Sequence, residues 1–338
     1  MADFRAIVVG AGGISGWWFP TLLAEQVEIP AVVDLNLSAA QARIDEFSLS
    51  AEASADLGAM LKKHQPDFVV DLTVPEAHCA VTCQALKAGC HVIGEKPMAA
   101  SMAEARRMVR TAEETGKLYM VSQSRRWDPK TELVSRIVTA GKLGTLGLFN
   151  CDFYIGAHFT GFRNEMPSVL LLDMAIHHLD LARYMSGTDP VAVYAQEFNP
   201  PGSWTKGDAA ASCIFEMTNG VIFTYRGSWV AEGCQTSWNG DWHFVGDRGS
   251  LVYEHDQTPQ GELATGAVNF VRRLKPLPIP AERLKHLGPH GALSELFKYL
   301  RGGKVPQTEG HDNIKSLAMV FAAIQSSKQK KRVPVRAL

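Results

Sequence analysis

The stretch RAIVVGAGGISG, residues 5–16, runs from an apolar segment through a glycine-rich turn toward a helical pattern. Glycine is needed where a backbone turns tightly and lets a pyrophosphate approach a helix N-terminus. Gly10 and Gly12 fit the first two positions of G-x-G-x-x-G, and Ser15 replaces the third glycine. Gly13 and Ile14 complete the turn. Such a turn can also simply end a strand, so its context matters. A strand pattern precedes it, a helical one follows, and the next apolar run, IPAVVD, ends at Asp34. An acid there can accept hydrogen bonds from an adenosine ribose. No Arg or Lys follows in DLNLS, residues 34–38, and a 2′-phosphate beside Asp34 would be repelled. NAD is therefore the expected cofactor, and NADP the less favoured one.

The same alternation continues outward. RAIVVG, IPAVVD, FVVDLTVP, HVIGE and LYMVSQ are apolar runs separated by stretches of helical period. Continuous apolar strands between helices imply a parallel sheet covered on both faces, here a doubly wound Rossmann domain. Two further turns fall at carboxyl ends of strands, where ligands bind in such sheets. TVPEAH, residues 73–78, offers Thr73, Pro75 and His78; GEKPM, residues 94–98, offers Glu95 and Lys96. A lysine beside a bound dinucleotide can hydrogen-bond a substrate oxygen and ease its deprotonation. An isolated Lys-Pro pair is more often a surface turn.

LLLDMAIHHLDLARY, residues 170–184, reads as a buried helix with a narrow ionisable stripe. Projected as an α-helix from Asp173, His177 falls at about +40°, Asp180 at about −20° and Tyr184 at about +20°. His178 lands among the leucines, where a hydrogen-bonded core histidine is expected. An ordinary surface helix has the opposite proportions, with a wide polar face.

The totals bound the classes. A chain of 338 residues suggests two domains, and 46% hydrophobic with 20% charged residues is a soluble globular composition. The formal net charge is −1, and the short basic run QKKR, residues 329–332, reads as a solvated helix end, so no nucleic-acid partner is expected. No apolar run approaches the roughly 20 residues of a membrane span. The N-terminus lacks a signal-peptide pattern, and the six cysteines form no C-x-x-C pair. Reduced thiols in a cytoplasm are the expectation.

GAGGIS, Asp34, TVPEAH, EKPM, SRRWDP and DMAIHHLD occur in that order. GKLGTLGLF (141–149), FVGDRGSL (244–251) and GKVPQTEGHDNIKSLAMVFAAIQSS near the C-terminus extend the set. Together they resemble the glucose–fructose oxidoreductase and inositol dehydrogenase family, Gfo/Idh/MocA. The resemblance implies a Rossmann domain over residues 1–123. An α+β domain with a large open, mostly antiparallel sheet would follow over residues 124–338, binding substrate and assembling the oligomer. The ionisable stripe would line the cleft between the domains. The resemblance also implies NAD-dependent hydride transfer with a secondary alcohol of a sugar, cyclitol or related polyol, in a homodimer or homotetramer. Lys96, Asp173 and His177 would form the catalytic group. His177 would be the general base, its neutral form available near neutral pH, Lys96 would polarise the hydroxyl, and Asp173 would position substrate. Gly10, Gly12, Gly13, Ile14, Asp34, Thr73, Pro75, His78, Glu95 and Lys96 would hold the cofactor. Lys96, Arg126, His158, Asp173 and His177 would meet substrate. The Lys96–Pro97 bond would be cis.

The chain departs from the family pattern in places. EMPSVLLLD, residues 165–173, stands where glycines are usual before the helix, which makes the cleft wall bulkier. Ser124 stands for a frequent Asn. Arg126 contacts substrate or braces the cleft, and Asp180 holds the helix or a partner behind the site. Trp204, Trp229, Trp238 and Asn239 build a sugar pocket or pack the sheet. Two other functions stay open: a glycosidase that recycles NAD, and a catalytically silent dinucleotide-gated regulator. No metal is expected, although Asp173, His177 and Asp180 share one helical face.

Overall fold

The structure, a computed structural model, describes residues 3–268 and 270–338, and the chain divides into two compact units. The first contains the chain up to Ser124, with Gly288–Ile314 and Leu338. In it β1 (Arg5–Val9), α1 (Ser15–Ala24), β2 (Glu28–Val33), α2 (Leu37–Glu46), β3 (Glu52–Ser54) and α3 (Leu57–His64) are followed by β4 (Phe68–Asp71), α4 (Pro75–Lys87), β5 (His91–Gly94), α5 (Met102–Thr115) and β6 (Tyr119–Val121). The six strands pair in parallel in the order β3-β2-β1-β4-β5-β6. Ala6, Ile7, Val8, Val69, Val70, Val92 and Ile93 are fully buried, as strands covered on both faces require. The strand order reverses between β1 and β4, so the turns after Val9 and Asp71 flank the crevice where such sheets bind ligands. β3 is the strand that the apolar runs do not announce. It is three half-buried residues at the sheet edge.

The second unit contains Arg125–Leu287 and Lys315–Ala337. After α6 (Pro129–Thr139) come β7 (Leu146–Tyr154), a π-helical turn (Leu170–Ala175) and α7 (Ile176–Ser186). β8 (Pro190–Phe198), β9 (Ala210–Met217), β10 (Ile222–Ser228), β11 (Asp241–Gly246), β12 (Gly249–Tyr253), β13 (Gln260–Thr265) and β14 (Arg273–Pro276) follow. With β15 (Val333–Pro334) they form a nine-stranded sheet in the order β14-β13-β12-β11-β7-β10-β9-β8-β15. β7 and β10 pair in parallel and the other neighbours antiparallel. Register places Phe215, Phe223, Phe149 and Phe244 side by side across four strands, all fully buried. Their rings stack at centroid distances of 5.7, 4.7 and 5.3 Å, the cross-strand pairing that fixes a sheet's register. The opposite face carries Tyr194, Ile214 and Leu148, each about half exposed.

The chain passes into the second unit one residue after the expected boundary, but that unit is not continuous. Two helices complete the chain, α8 (Gly288–Leu300) and α9 (Gly310–Gln329). α8 belongs to the first unit, where Phe297 stacks on Phe4 at 4.8 Å and meets Phe68 edge-on at 6.0 Å. Leu293 and Leu296 are fully buried beside it. The expected single domain over residues 124–338 is corrected accordingly: the apolar face of α8 finds its cover in the first unit, a pairing that periodicity along the chain does not encode.

Candidate functional site

The glycine-rich turn is built for close approach. Gly10 has φ +100°, and a Cβ there would lie 2.7 Å from the Leu72 backbone, so only glycine fits. A Cβ at Gly12 or Gly13 would meet nothing within 4 Å; the backbone there is open to a ligand. Ser15, in the third glycine position, is fully buried and folds its hydroxyl back onto the Gly12 carbonyl at 2.6 Å. Ile14 precedes α1 as its cap and is 43% exposed. Asp34 accepts from the Ala11 amide at 2.7 Å and from the Asn36 amide at 2.8 Å, which fixes its carboxylate at the end of β2. Gly10, Gly12, Asp34, Leu35, Leu57, Thr73 and Val74 are among the residues lining a cavity of about 550 Å³. These residues fit a dinucleotide: glycines with clear space above them before a helix N-terminus, an anchored acid for a ribose, and an apolar slot.

The two flanking turns are tied together. Buried Asp71 accepts from the Thr73 amide at 3.2 Å, the Thr73 hydroxyl at 2.6 Å and the Thr82 hydroxyl at 3.1 Å, while burial pushes its carboxyl up. Pro75 starts α4. His78 is almost wholly buried, with Nδ1 3.0 Å from the Pro97 carbonyl and Nε2 2.9 Å from the Thr73 carbonyl. Its place is that of a brace between the turns, with both ring nitrogens engaged by the backbone. Glu95 accepts from the Trp18 indole at 2.7 Å and from the Lys96 amide at 3.2 Å; burial raises its carboxyl against those hydrogen bonds. The Lys96–Pro97 bond is cis, as the resemblance implied.

In the second unit the ionisable stripe meets arginines. Asp173 lies in the π turn and accepts from Arg163 Nε at 2.8 Å, with the Arg163 guanidinium 5.0 Å from the centre of the Phe159 ring. His177 is half-buried in the first turn of α7. Asp180 is 1% exposed and receives Arg126 through two bonds, Nε at 2.7 Å and Nη2 at 2.6 Å. Ser316 donates to the same carboxylate at 2.7 Å and accepts from Arg183 at 2.9 Å, and Arg183 grips Asp189. Arg126 also lies 5.5 Å from the Tyr184 ring centre. Two corrections follow. The stripe is not one α-helical face, because its first part is a π turn with i→i+5 bonds and a different angular step. It is also not open along its length, since Asp180 is sealed by a bidentate ion pair. Of the two roles open to Arg126, substrate contact and bracing, the geometry supports bracing.

His178 is the core histidine expected, fully buried between the Tyr225 hydroxyl at 3.3 Å and the Trp238 carbonyl at 3.2 Å. His158 is exposed, stacked on Trp204 at 3.8 Å with Nε2 2.7 Å from Glu232. Trp229 is buried sheet packing, whereas Trp238 is 48% exposed. Arg125, which spacing does not single out beside Arg126, donates to Asn239 at 2.8 Å and to the Trp238 carbonyl; burial lowers its pKa to about 10. Arg163 and Arg43 also escape a reading by spacing, since each reaches its partner through the fold. Among the described residues, no group of three His, Cys, Asp or Glu side chains is placed to hold a metal ion, and no helix is long and apolar enough to cross a membrane.

Comparisons with known proteins agree with this geometry. Residues 4–123 match the family model described as oxidoreductase family, NAD-binding Rossmann fold, and residues 131–252 match the GFO/IDH/MocA C-terminal domain. The D-apiose dehydrogenase of Paraburkholderia graminis is 27% identical over 321 residues, covering 92% of this chain and 84% of its own. The D-glucoside 3-dehydrogenase of Escherichia coli is 32% identical over 211 residues, 60% of each chain. A solved structure of an oxidoreductase from Agrobacterium radiobacter, in complex with NAD+, L-tartaric acid and magnesium, has a TM-score of 0.85 at 21% identity, covering 98% of both chains.

Proposed function

This chain belongs to the Gfo/Idh/MocA family of NAD-binding oxidoreductases, and from that premise we propose that it oxidises a secondary alcohol of a sugar, cyclitol or related polyol, or reduces the matching ketone. The observation that carries the reading is the cradle at the strand-order reversal: Gly10 that admits no side chain, open space above Gly12 and Gly13, and an anchored Asp34. The sugar dehydrogenases among its relatives support the substrate class. When bound, NAD supplies the hydride acceptor, and the protein supplies orientation and proton transfer.

In this proposal Lys96 and His177 act on the substrate hydroxyl, the lysine polarising it and the imidazole taking its proton. Asp173 positions the substrate, its carboxylate held by Arg163 at 2.8 Å. Arg126 and Asp180 keep α7 in place behind that chemistry. Asp34 favours NAD over NADP. The half-exposed Tyr194, Ile214 and Leu148 on one face of the large sheet support a homodimer or homotetramer built on that face. Six unpaired cysteines, five of them buried, support a reducing cytoplasm. The test is a panel of sugars, cyclitols and polyols incubated with NAD and with NADP, scored by absorbance of the reduced nicotinamide. Turnover of at least one secondary alcohol with NAD is expected. No oxidation across the panel, and no reduction of the corresponding ketones, would overturn the substrate class.

A further inference from the structure

Arg43 stands nine residues beyond Asp34, on α2, and folds back to the glycine-rich turn. Its Nε donates to the Ala11 carbonyl at 3.4 Å and its Nη2 to the Gly12 carbonyl at 3.2 Å. Asp34 holds the amide of that same Ala11 at 2.7 Å. One acid and one guanidinium therefore grip the two sides of a single residue in the dinucleotide cradle. The guanidinium also lies over the bare Gly16, where a Cβ would come within 3.6 Å of Nη1, beside the first turn of α1. A cation there adds to the positive end of the helix dipole, an arrangement that an anion relieves. Glu46 offsets it in part at 2.5 Å, from a side chain that is 51% exposed to solvent.

We propose that Arg43 is a second cofactor-selecting residue, the group that receives a ribose 2′-phosphate, so that NADP is held off by Asp34 alone and not by a cradle lacking a cation. The proposal rests on the dinucleotide reading of the cradle. Arginine presents a planar fork that matches phosphate, and its reach from the second helix brings that fork to the Ala11 and Gly12 carbonyls, on the residue whose amide Asp34 holds, without a basic residue directly after Asp34. When NAD binds, Arg43 braces the turn through the two carbonyls it already holds. When a 2′-phosphate is present, the guanidinium exchanges Glu46 for it.

The experiment titrates NADH and NADPH by nicotinamide fluorescence into the full chain. The variants are Asp34→Asn, Arg43→Ala, the double variant, and Asp34→Asn with Arg43→Lys. Thermal unfolding of each confirms that it is folded. Asp34→Asn should bring NADPH affinity close to that for NADH. Removing Arg43 in that background should weaken NADPH about 10–100-fold, the range of a lost hydrogen-bonded charge, and NADH by less than about 3-fold. Lysine should restore part of the NADPH affinity. Equal weakening of both dinucleotides would make Arg43 a brace of the turn only and overturn the proposal. So would an Asp34→Asn protein that still rejects NADPH while binding NADH. Failure of the wild-type chain to bind either dinucleotide would instead overturn the reading of the cradle.

Discussion

His178 has no exposed surface, and its ring sits between a hydroxyl and a carbonyl. A carbonyl only accepts, so Nε2 carries the proton and Nδ1 accepts from Tyr225. Burial, reinforced by the Arg125 charge, pushes its pKa down to about 3. An unfolded histidine titrates near about 6.5, so the unfolded chain takes up its proton first as the pH falls. The stability that neutral His178 contributes is whole above about pH 6.5 and is lost as the pH drops toward the folded value of about 3. Replacing His178 by Phe removes that titration. The melting temperature of the variant should fall less steeply with acid than that of the wild type, as thermal unfolding across this window records. Parallel acid limbs would mean that other groups set the acid sensitivity.

At the scale of elements, α7 is held to its unit by a buried ion pair and not only by its apolar arc. Arg126 and Asp180 are 4% and 1% exposed, with Ser316 and Arg183 continuing the chain of bonds. Removing one partner leaves a buried charge without its counter-ion, at a cost of about 3–5 kcal/mol. Arg126→Ala and Asp180→Ala should each lower the unfolding free energy extracted from denaturant titration by that much. The double replacement Arg126→Met with Asp180→Leu should recover most of the loss. A double variant as unstable as the singles would show that the ion pair is not the element's main tie. Much of this architecture was legible in the sequence. The glycine turn and continuous apolar runs announce a parallel sheet, because both are local consequences of backbone sterics and two-sided burial. The π turn was not legible, because Leu170–Ala175 has the composition of any buried helix and a fixed 100° step assumes the geometry it reads. Arg163, Arg125 and Arg43 were missed for a related reason. A long cation meets its partner 10 to 114 residues away in sequence, through the fold.

For the whole molecule, the large sheet buries one face over β7–β12 and carries apolar side chains in the open on the opposite face of β7–β9. Tyr194 and Ile214 are directly paired across β8 and β9 on that face, 48% and 51% exposed. A monomer gains nothing from such a patch, whereas a second copy covering it removes it from water. Tyr194→Glu with Ile214→Glu should lower the mass seen by light scattering to that of one chain with the fold intact by circular dichroism. An unchanged mass would contradict the proposed assembly through this face. In the proposed function, His177 is the general base of an NAD-dependent reaction. The most direct measurement is turnover of the best panel substrate by His177→Ala, with NADH affinity measured on the same preparation. A loss of about 10²–10⁴-fold in turnover is expected, the range for removing a general base, with NADH affinity unchanged. Turnover at the wild-type rate would contradict it.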